Sequence, residues 1–334
     1  SVSSNPLHPL DTIQPMAQSN CTQVTQFSLV GFTEEPLTQG NLFLLFLLTY
    51  LVTIVGNLGI IILIRASPHL HSPMYYFLAN LAFVDLCSST IITPKVLVDS
   101  MLEKKSIAYA GCVAQVFLFQ LFGITECFLL AAMAYDRYVA ICHPLLYPLV
   151  MSPKCCFQLV TGSYLVGLTN GVGQTISMST LSFCSSSTIN LFFCDIPPLI
   201  SLSSSNTTLS HIILTTAASL LGVSSSLVVL LSYVAIILTI LSISSAEGKR
   251  KAFSTCTSHL TTVSIFYGSS CFTYLNPSSD SSRGVASIFY TVVTPMLNPF
   301  IYSLRNKEVK GALIKCVRRL FNSWQHTRLV SCRT

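Results

Sequence analysis

From Asn41 to Ile64 the chain reads NLFLLFLLTYLVTIVGNLGIIILI, and no charged side chain occurs anywhere between Glu35 and Arg65. A bilayer core about 30 Å thick needs about 20 mostly apolar residues per helix, so this stretch is long enough to cross one. The pattern recurs six more times. Pro73–Val98 is interrupted by Asp85 and Lys95, and Val113–Tyr135 by Glu126, while Cys155–Met178, His211–Ser242, Ala252–Leu275 and Gly284–Leu304 contain no Asp, Glu, Lys or Arg. Soluble cores bury one or two such runs, but not seven in series. The sequence predicts an all-α integral membrane bundle of seven helices over residues 41–304. It sits between an amino-terminal tail, 1–40, and a carboxy-terminal tail, 305–334.

Composition agrees. Of 334 residues, 51% are hydrophobic and 9% charged, against about 25% charged in an ordinary soluble domain. That excludes most soluble enzymes, disordered chains and nucleic-acid binders. Thirteen cysteines are too dilute for a disulfide-knotted secreted scaffold. The net charge of +6 is unevenly placed. With the amino terminus outside, the inner ends collect 14 basic residues against three acidic ones, Asp136, Glu247 and Glu308. The outer side holds four basic and seven acidic. Basic residues favour the cytosolic face, so the amino terminus is predicted outside and the carboxy terminus inside.

No Lys or Arg precedes Arg65, so the tail lacks the charged start of a cleavable signal, and the first helix reads as an uncleaved insertion signal. Met16 opens a segment resembling a usual short outer tail, and residues 1–15 read as an upstream extension. Asn20-Cys21-Thr22 and Asn206-Thr207-Thr208 are glycosylation acceptors, both on the predicted outer side. The tail after Arg305 places Val309, Leu313, Ile314, Val317, Leu320 and Phe321 among basic residues, the pattern of an amphipathic helix along the inner leaflet. Cys316 or Cys332 is a candidate for palmitoylation.

Ionisable groups at bilayer depth are costly and usually functional. Asp85 lies 12 residues past Pro73 and Glu126 lies 11 before Arg137, which puts both roughly 16–18 Å from the inner end. Asn57 and Asn298, eight and seven residues before Arg65 and Arg305, come roughly 10–12 Å in. Two readings stay open for this layer. One is a hydrogen-bonded polar network with one carboxyl protonated by its like-charged neighbour. The other is a monovalent cation such as sodium held by Asp85 and Glu126. No other cofactor is expected.

The third run ends Met133-Ala134-Tyr135-Asp136-Arg137-Tyr138-Val139-Ala140-Ile141-Cys142, and the seventh ends Pro295-Met296-Leu297-Asn298-Pro299-Phe300-Ile301-Tyr302. An acidic-Arg-aromatic triplet and an Asn-Pro-x-x-Tyr element at these places resemble the rhodopsin-like G-protein-coupled receptors. Gly56-Asn57 and Asp85 match further positions of that family. A closer resemblance lies in Leu70-His71-Ser72-Pro73-Met74-Tyr75-Tyr76-Phe77-Leu78, Ser232-Tyr233, Lys251-Ala252-Phe253-Ser254-Thr255-Cys256-Thr257-Ser258-His259-Leu260 and Phe266-Tyr267-Gly268. These are similar to the olfactory (odorant) receptors of tetrapods, and the resemblance covers about residues 20–320.

That resemblance implies a plasma-membrane receptor whose outer half takes a small volatile odorant and whose inner half opens to a stimulatory, olfactory-type G protein, raising cAMP. Arg137 would be held by Asp136 at rest and swing toward Tyr233 on activation. His259, Asn298, Pro299 and Tyr302 belong to the same inner machinery, and Lys249-Arg250-Lys251 is either a membrane-side anchor or a G-protein contact. Cys112 and Cys194 match the family's disulfide. Olfactory receptors usually carry a further loop cysteine near Leu202-Ser203-Ser204, paired with the position of Cys184. Here Ser203, Ser204 and Ser205 stand instead, which leaves either a looser loop or a Cys184 that pairs with Cys21.

Between Val113 and Thr125 no acidic residue is present to receive an amine, and an unpaired buried ammonium is expensive. Phe119, Gln120, Gly123 and Ile124, with Ser270, Cys271, Tyr274 and Thr291, are the candidate ligand wall, suited to a small, neutral, mostly apolar molecule. No P-loop, zinc-binding His-Glu-x-x-His or nucleophile elbow occurs, so an enzyme is not expected. A transporter or channel is the rival class, because Asp85 and Glu126 could mark an ion path, although no internal repeat is visible. A third reading is a family member with a non-odorant ligand or with expression outside olfactory tissue.

Overall fold

The computed structural model describes residues 24–30, 35–184, 187–275, 284, 286–305, 308–315 and 318. Among them seven long helical stretches run in series. They are α1 (Pro36–Ala66), α2 (Pro73–Asp99), α3 (Tyr109–Cys142), α5 (Pro153–Ser179), α7 continuing into α8 (Thr208–Ala217 and Val223–Ser242), α9 (Ala246–Leu275) and a last stretch, 286–305, ending in α10 (Thr294–Arg305). Between α3 and α5 lies a single turn, α4 (Tyr147–Val150), and before α7 a short helix, α6 (Ile196–Leu202). Residues 308–315 are helical, with Val309 and Ala312 buried and Leu313 and Ile314 exposed. Of the residues expected in the amphipathic tail helix, Val317, Leu320 and Phe321 lie outside the described residues; Tyr75 Oη at the start of α2 donates to Glu308 Oε2 over 2.7 Å.

Helix starts follow local chemistry. Pro36, Pro73 and Pro153 occupy the first turns of α1, α2 and α5, where the missing N–H has no intrahelical partner to lose. Four stretches, Leu37–Ala66, Pro73–Asp99, Tyr109–Cys142 and Thr208–Ser242, are long and apolar enough to cross a membrane on composition alone. In α5 and α9 runs of Ser, Thr and Gly dilute the apolar content; their hydroxyls turn back to their own helix, as Ser163 does to Leu159 O and Thr261 to Thr257 O, both over 2.8 Å. Large apolar side chains such as Leu48, Val55, Leu165, Leu230 and Leu238 point outward. In water this would be an aggregation surface; in a bilayer it is the lipid face.

Close approach of backbones sets the packing. A Cβ on Gly56 of α1 would lie 3.0 Å from the Pro299 ring. A Cβ on Gly167 of α5 would lie 2.4 Å from Leu121 O and Thr125 Oγ1 of α3. Small residues of this kind let membrane helices meet. Two π-helical segments, Ala218–Gly222 and Phe289–Val293, interrupt the α geometry near the outer ends.

Sequence reading gave no strands, yet among the described residues three are present: β1 (Gln26–Leu29), β2 (Ser106–Ala108) and β3 (Thr188–Ile189). They form one sheet in the order β2-β1-β3, with β1 antiparallel to β2 and parallel to β3. Phe27 is fully buried beneath it, its ring edge-on to Phe183 at 5.1 Å. The tail thus caps the bundle end where α3 begins.

Candidate functional site

The level beside the sheet, the expected outer one, is built around one covalent bond. Cys112 in the first turns of α3 is disulfide-bonded to Cys194, with Cα atoms 5.5 Å apart across 82 residues of sequence. Gln115, one turn on, fixes the same segment, since its Oε1 accepts from Cys194 N over 2.8 Å while its Nε2 donates to Ile91 O over 3.1 Å. Residues 191–196 are consequently buried. Phe193 is carried down onto Phe119, centroids 5.5 Å apart, and Phe119 also meets Tyr290 at 5.8 Å. Phe192 continues the wall to Phe46 at 6.5 Å.

The candidate ligand residues do not all share this wall. Phe119 lies in it, and a Cβ on Gly123 would find nothing within 4 Å, so open space adjoins that position. Gln120 faces elsewhere: its Oε1 accepts from Asn170 Nδ2 of α5 over 3.1 Å, both residues buried. One residue along an α-helix is about 100° of rotation, and that turns Gln120 from the bundle axis to the α3–α5 seam. Ile124 and Ser270 are half-buried, Cys271 is an exposed thiol, and the Tyr274 side chain lies outside the described residues. Thr291 is buried with Oγ1 bonded to Ser287 O over 2.6 Å. A groove of about 340 Å³ opens between α9 and the last helix, lined by Ser264, Ile265, Gly268, Ser269, Phe272, Ala286 and Phe289, none of them among the assigned residues. Sequence reading missed Phe193, Tyr290 and Gln115, because nothing local ties the second outer loop to α3 except the disulfide.

The middle level is polar and sealed. Asn298 Nδ2 donates to Asp85 Oδ2 over 2.9 Å, and Asn57 Nδ2 donates to Pro295 O over 3.0 Å. Asp85, Glu126, Asn57 and Asn298 are buried, and the two carboxyl groups are close enough for their charges to act on one another. One oxygen of each, Asp85 Oδ1, Glu126 Oε1, Asn57 Oδ1 and Asn298 Oδ1, has no hydrogen-bond donor among the described residues. No described group of three or more His, Cys, Asp or Glu forms a metal cluster.

At the inner level Arg137 acts on Asp136 through charge, while the hydrogen bond of Asp136 is to another residue. Asp136 Oδ1 accepts from Tyr147 Oη of α4 over 2.8 Å, and among the described residues no ion pair joins Asp136 to Arg137. Adjacent residues on a helix point about 100° apart, which separates the two side chains. Burial, then the neighbouring Asp136 carboxylate, push the Tyr147 pKa up, so Tyr147 stays a donor. The Arg137 charge acts on Asp136 and Tyr147, and also on His259, Tyr233 and Tyr302. Tyr233 Oη lies 2.7 Å from His259 Nδ1, the rings are stacked, and His259 Nε2 is 3.1 Å from Leu130 O. A carbonyl only accepts, so a ring with its proton on Nε2 satisfies both bonds. Tyr302 is buried, and Ser258 Oγ donates to Ile301 O over 3.0 Å, tying α9 to α10. Pro299 packs its ring against Gly56.

Of the acceptor sites, Asn206 is exposed, its Oδ1 accepting from Thr208 N over 2.9 Å; Asn20 lies outside the described residues, as do Cys316, Cys332 and the 1–15 segment. The loop expected to loosen without its second cysteine is closed by the serines themselves. Ser204 N donates to Ser182 O over 2.8 Å, and Ser182 N and Cys184 N donate to Ser205 Oγ and Ser204 Oγ over 3.1 and 3.4 Å.

Comparison with known proteins fits this arrangement. A family profile described as olfactory receptor matches residues 46–320. Olfactory receptor 5G26 of Mus musculus is 54% identical over 309 residues, 92% of this chain and 97% of its own length. Olfactory receptor 5G3 of Homo sapiens is 52% identical over 307 residues, 91% and 98%. The olfactory receptor-like protein COR4 of Gallus gallus is 51% identical over 315 residues, 93% and 100%. Among solved structures, squid rhodopsin is similar in fold, with a TM-score of 0.68 at 19% identity, covering 84% of this chain and 81% of its own.

Proposed function

The chain belongs to the olfactory receptor family of class A G-protein-coupled receptors, and from that premise we propose that it binds small, neutral, mostly apolar volatile molecules at the outer aromatic wall. Ligand binding there drives a stimulatory olfactory-type G protein at the inner face and raises cAMP, with the amino terminus outside and the carboxy terminus in the cytosol. The observation that carries the ligand class is the wall itself. Phe119, Phe193 and Tyr290 meet beneath a disulfide-tethered loop, and the α3 face above Glu126 offers no carboxylate to an amine. Aromatic walls reward apolar burial, whereas an ammonium there would keep its desolvation cost.

The inner assembly supports the signalling half. Arg137 is always charged, its charge reaches the Tyr233–His259 pair and Tyr302, and Asp136 is hydrogen-bonded to Tyr147. Rearrangement of this polar set is the step by which the inner end accepts the G protein. In the middle layer, four oxygens from Asp85, Glu126, Asn57 and Asn298 are without donors among the described residues, a hard all-oxygen set suited to sodium. When bound, sodium would offset the repulsion between the two carboxylates and favour the conformation that keeps them together.

The test is a panel of neutral, amine and carboxylic-acid volatiles applied to cells expressing the full chain with an olfactory stimulatory G protein. Neutral members are expected to raise cAMP in a concentration-dependent way. A response confined to amines or acids would overturn the ligand class. Sodium flux through liposomes carrying the purified chain would favour the transporter reading; none is expected.

A further inference from the structure

The second outer loop is covalently held at two points. One is Cys112–Cys194; the other is Cys184, which is also disulfide-bonded, to a partner outside the described residues. We propose that this partner is Cys21, so that the amino-terminal tail is stapled to the loop beside the outer mouth of the bundle. The remaining seven described cysteines are free thiols, which leaves Cys21, Cys316 and Cys332.

Placement selects among the three. Val24 N donates to Phe183 O over 3.3 Å, and Phe27 packs edge-on against the Phe183 ring. The tail therefore passes directly beside Cys184 three residues after Cys21. Three residues of chain reach about 10 Å at most, and a disulfide asks for Cα atoms about 4.4–6.8 Å apart, so Cys21 is within range. The carboxy-terminal cysteines follow from the opposite end of the molecule. Glu308 is bonded to Tyr75 in the first turn of α2, whereas the sheet that holds β1 sits past the other end of α2, a 27-residue helix about 40 Å long. The excess of basic residues at that end predicts a cytosolic carboxy-terminal tail, and thiols there stay reduced.

The serines explain how the arrangement is tolerated. Ser203, Ser204 and Ser205 close the loop on residues 182–184 by hydrogen bonds, so Cys184 is not needed for that closure and serves the tail. Formation is a thiol–disulfide exchange with a protein disulfide donor of the secretory lumen. One cysteine thiolate attacks the donor disulfide to give a mixed disulfide, and the second cysteine thiolate displaces the donor sulfur. The two cysteines give up two electrons and two protons while the donor leaves as a dithiol.

The test is disulfide mapping on the full chain from mammalian cells. Free thiols are blocked with N-ethylmaleimide before denaturation, N-glycans are removed, and the digest is analysed without reduction. The expected result is a linked species joining the Cys21 and Cys184 peptides that disappears on reduction. In Cys21→Ser, which preserves the Asn20-x-Thr22 acceptor, labelling of Cys184 should rise from near none to near complete. A wild-type chain with Cys21 labelled, or with Cys184 joined to another cysteine or to a second copy, would overturn the assignment. If Cys184→Ser fails to reach the surface, the wild-type map and Cys21→Ser still decide it.

Discussion

Gly167→Ala adds one methyl group where the α3–α5 contact has no room. The new Cβ would stand 2.4 Å from Leu121 O and Thr125 Oγ1 and 3.3 Å from Thr125 N. Ordinary contact begins near 3.4 Å, so the helices must part by about an ångström; rotating Thr125 away would clear only its own hydroxyl. Rotation breaks its 2.8 Å bond to Leu121 O. Leu121 O is helix backbone and cannot step aside. Overpacking of this kind costs about 1–3 kcal/mol, against a gain of about 0.8–1 kcal/mol for replacing a helical Gly with Ala. The balance is a net loss of up to about 2 kcal/mol. Gly162→Ala, on the same helix with nothing within 4 Å of its Cβ, keeps the gain alone. Thermal unfolding of the purified chain in detergent, followed by a thiol-reactive fluorophore that reports exposure of buried Cys156 and Cys256, should lower Tm for Gly167→Ala and leave it level or raised for Gly162→Ala. A Gly167→Ala variant raised in Tm as much as Gly162→Ala would refute the close-packing argument.

Cys112→Ser and Cys194→Ser should reduce surface delivery equally, since each removes the one bond they share, worth about 2–5 kcal/mol; flow cytometry on non-permeabilised cells checks this, and unequal defects would break the equivalence. Exchanging sodium for a bulky organic cation at fixed ionic strength should shift odorant potency in wild type and not in Glu126→Gln. An unshifted wild type assigns the middle layer to a hydrogen-bonded network instead.

What was legible in the sequence followed from length and periodicity. An uncharged run such as Asn41–Ile64 admits few soluble alternatives, so the helices could be placed, with ends off by up to seven residues, as at the end of α3. The sheet was invisible for the opposite reason. Gln26–Leu29 is four residues in a polar tail, and its pairing with Ser106–Ala108 and Thr188–Ile189 is decided by chain segments far away in sequence. The polar layer was legible because a buried Asp or Glu must have a reason. The direction of Gln120 was not, since a polar side chain next to Phe119 serves a ligand or a helix seam equally well until Asn170 is seen beside it. Tyr147 was missed likewise, its partner Asp136 lying 11 residues back across a turn.

Signalling through the inner Arg cluster is the claim on which the functional account rests, and Arg137→Ala tests it most directly. With cell-surface levels matched to wild type, cAMP is measured over a concentration series of a neutral volatile that activates wild type. The account predicts that the response is abolished, because the charge acting on Tyr233, His259 and Tyr302 is gone while the outer aromatic wall is untouched. An Arg137→Ala variant at full surface expression that signals like wild type would contradict it.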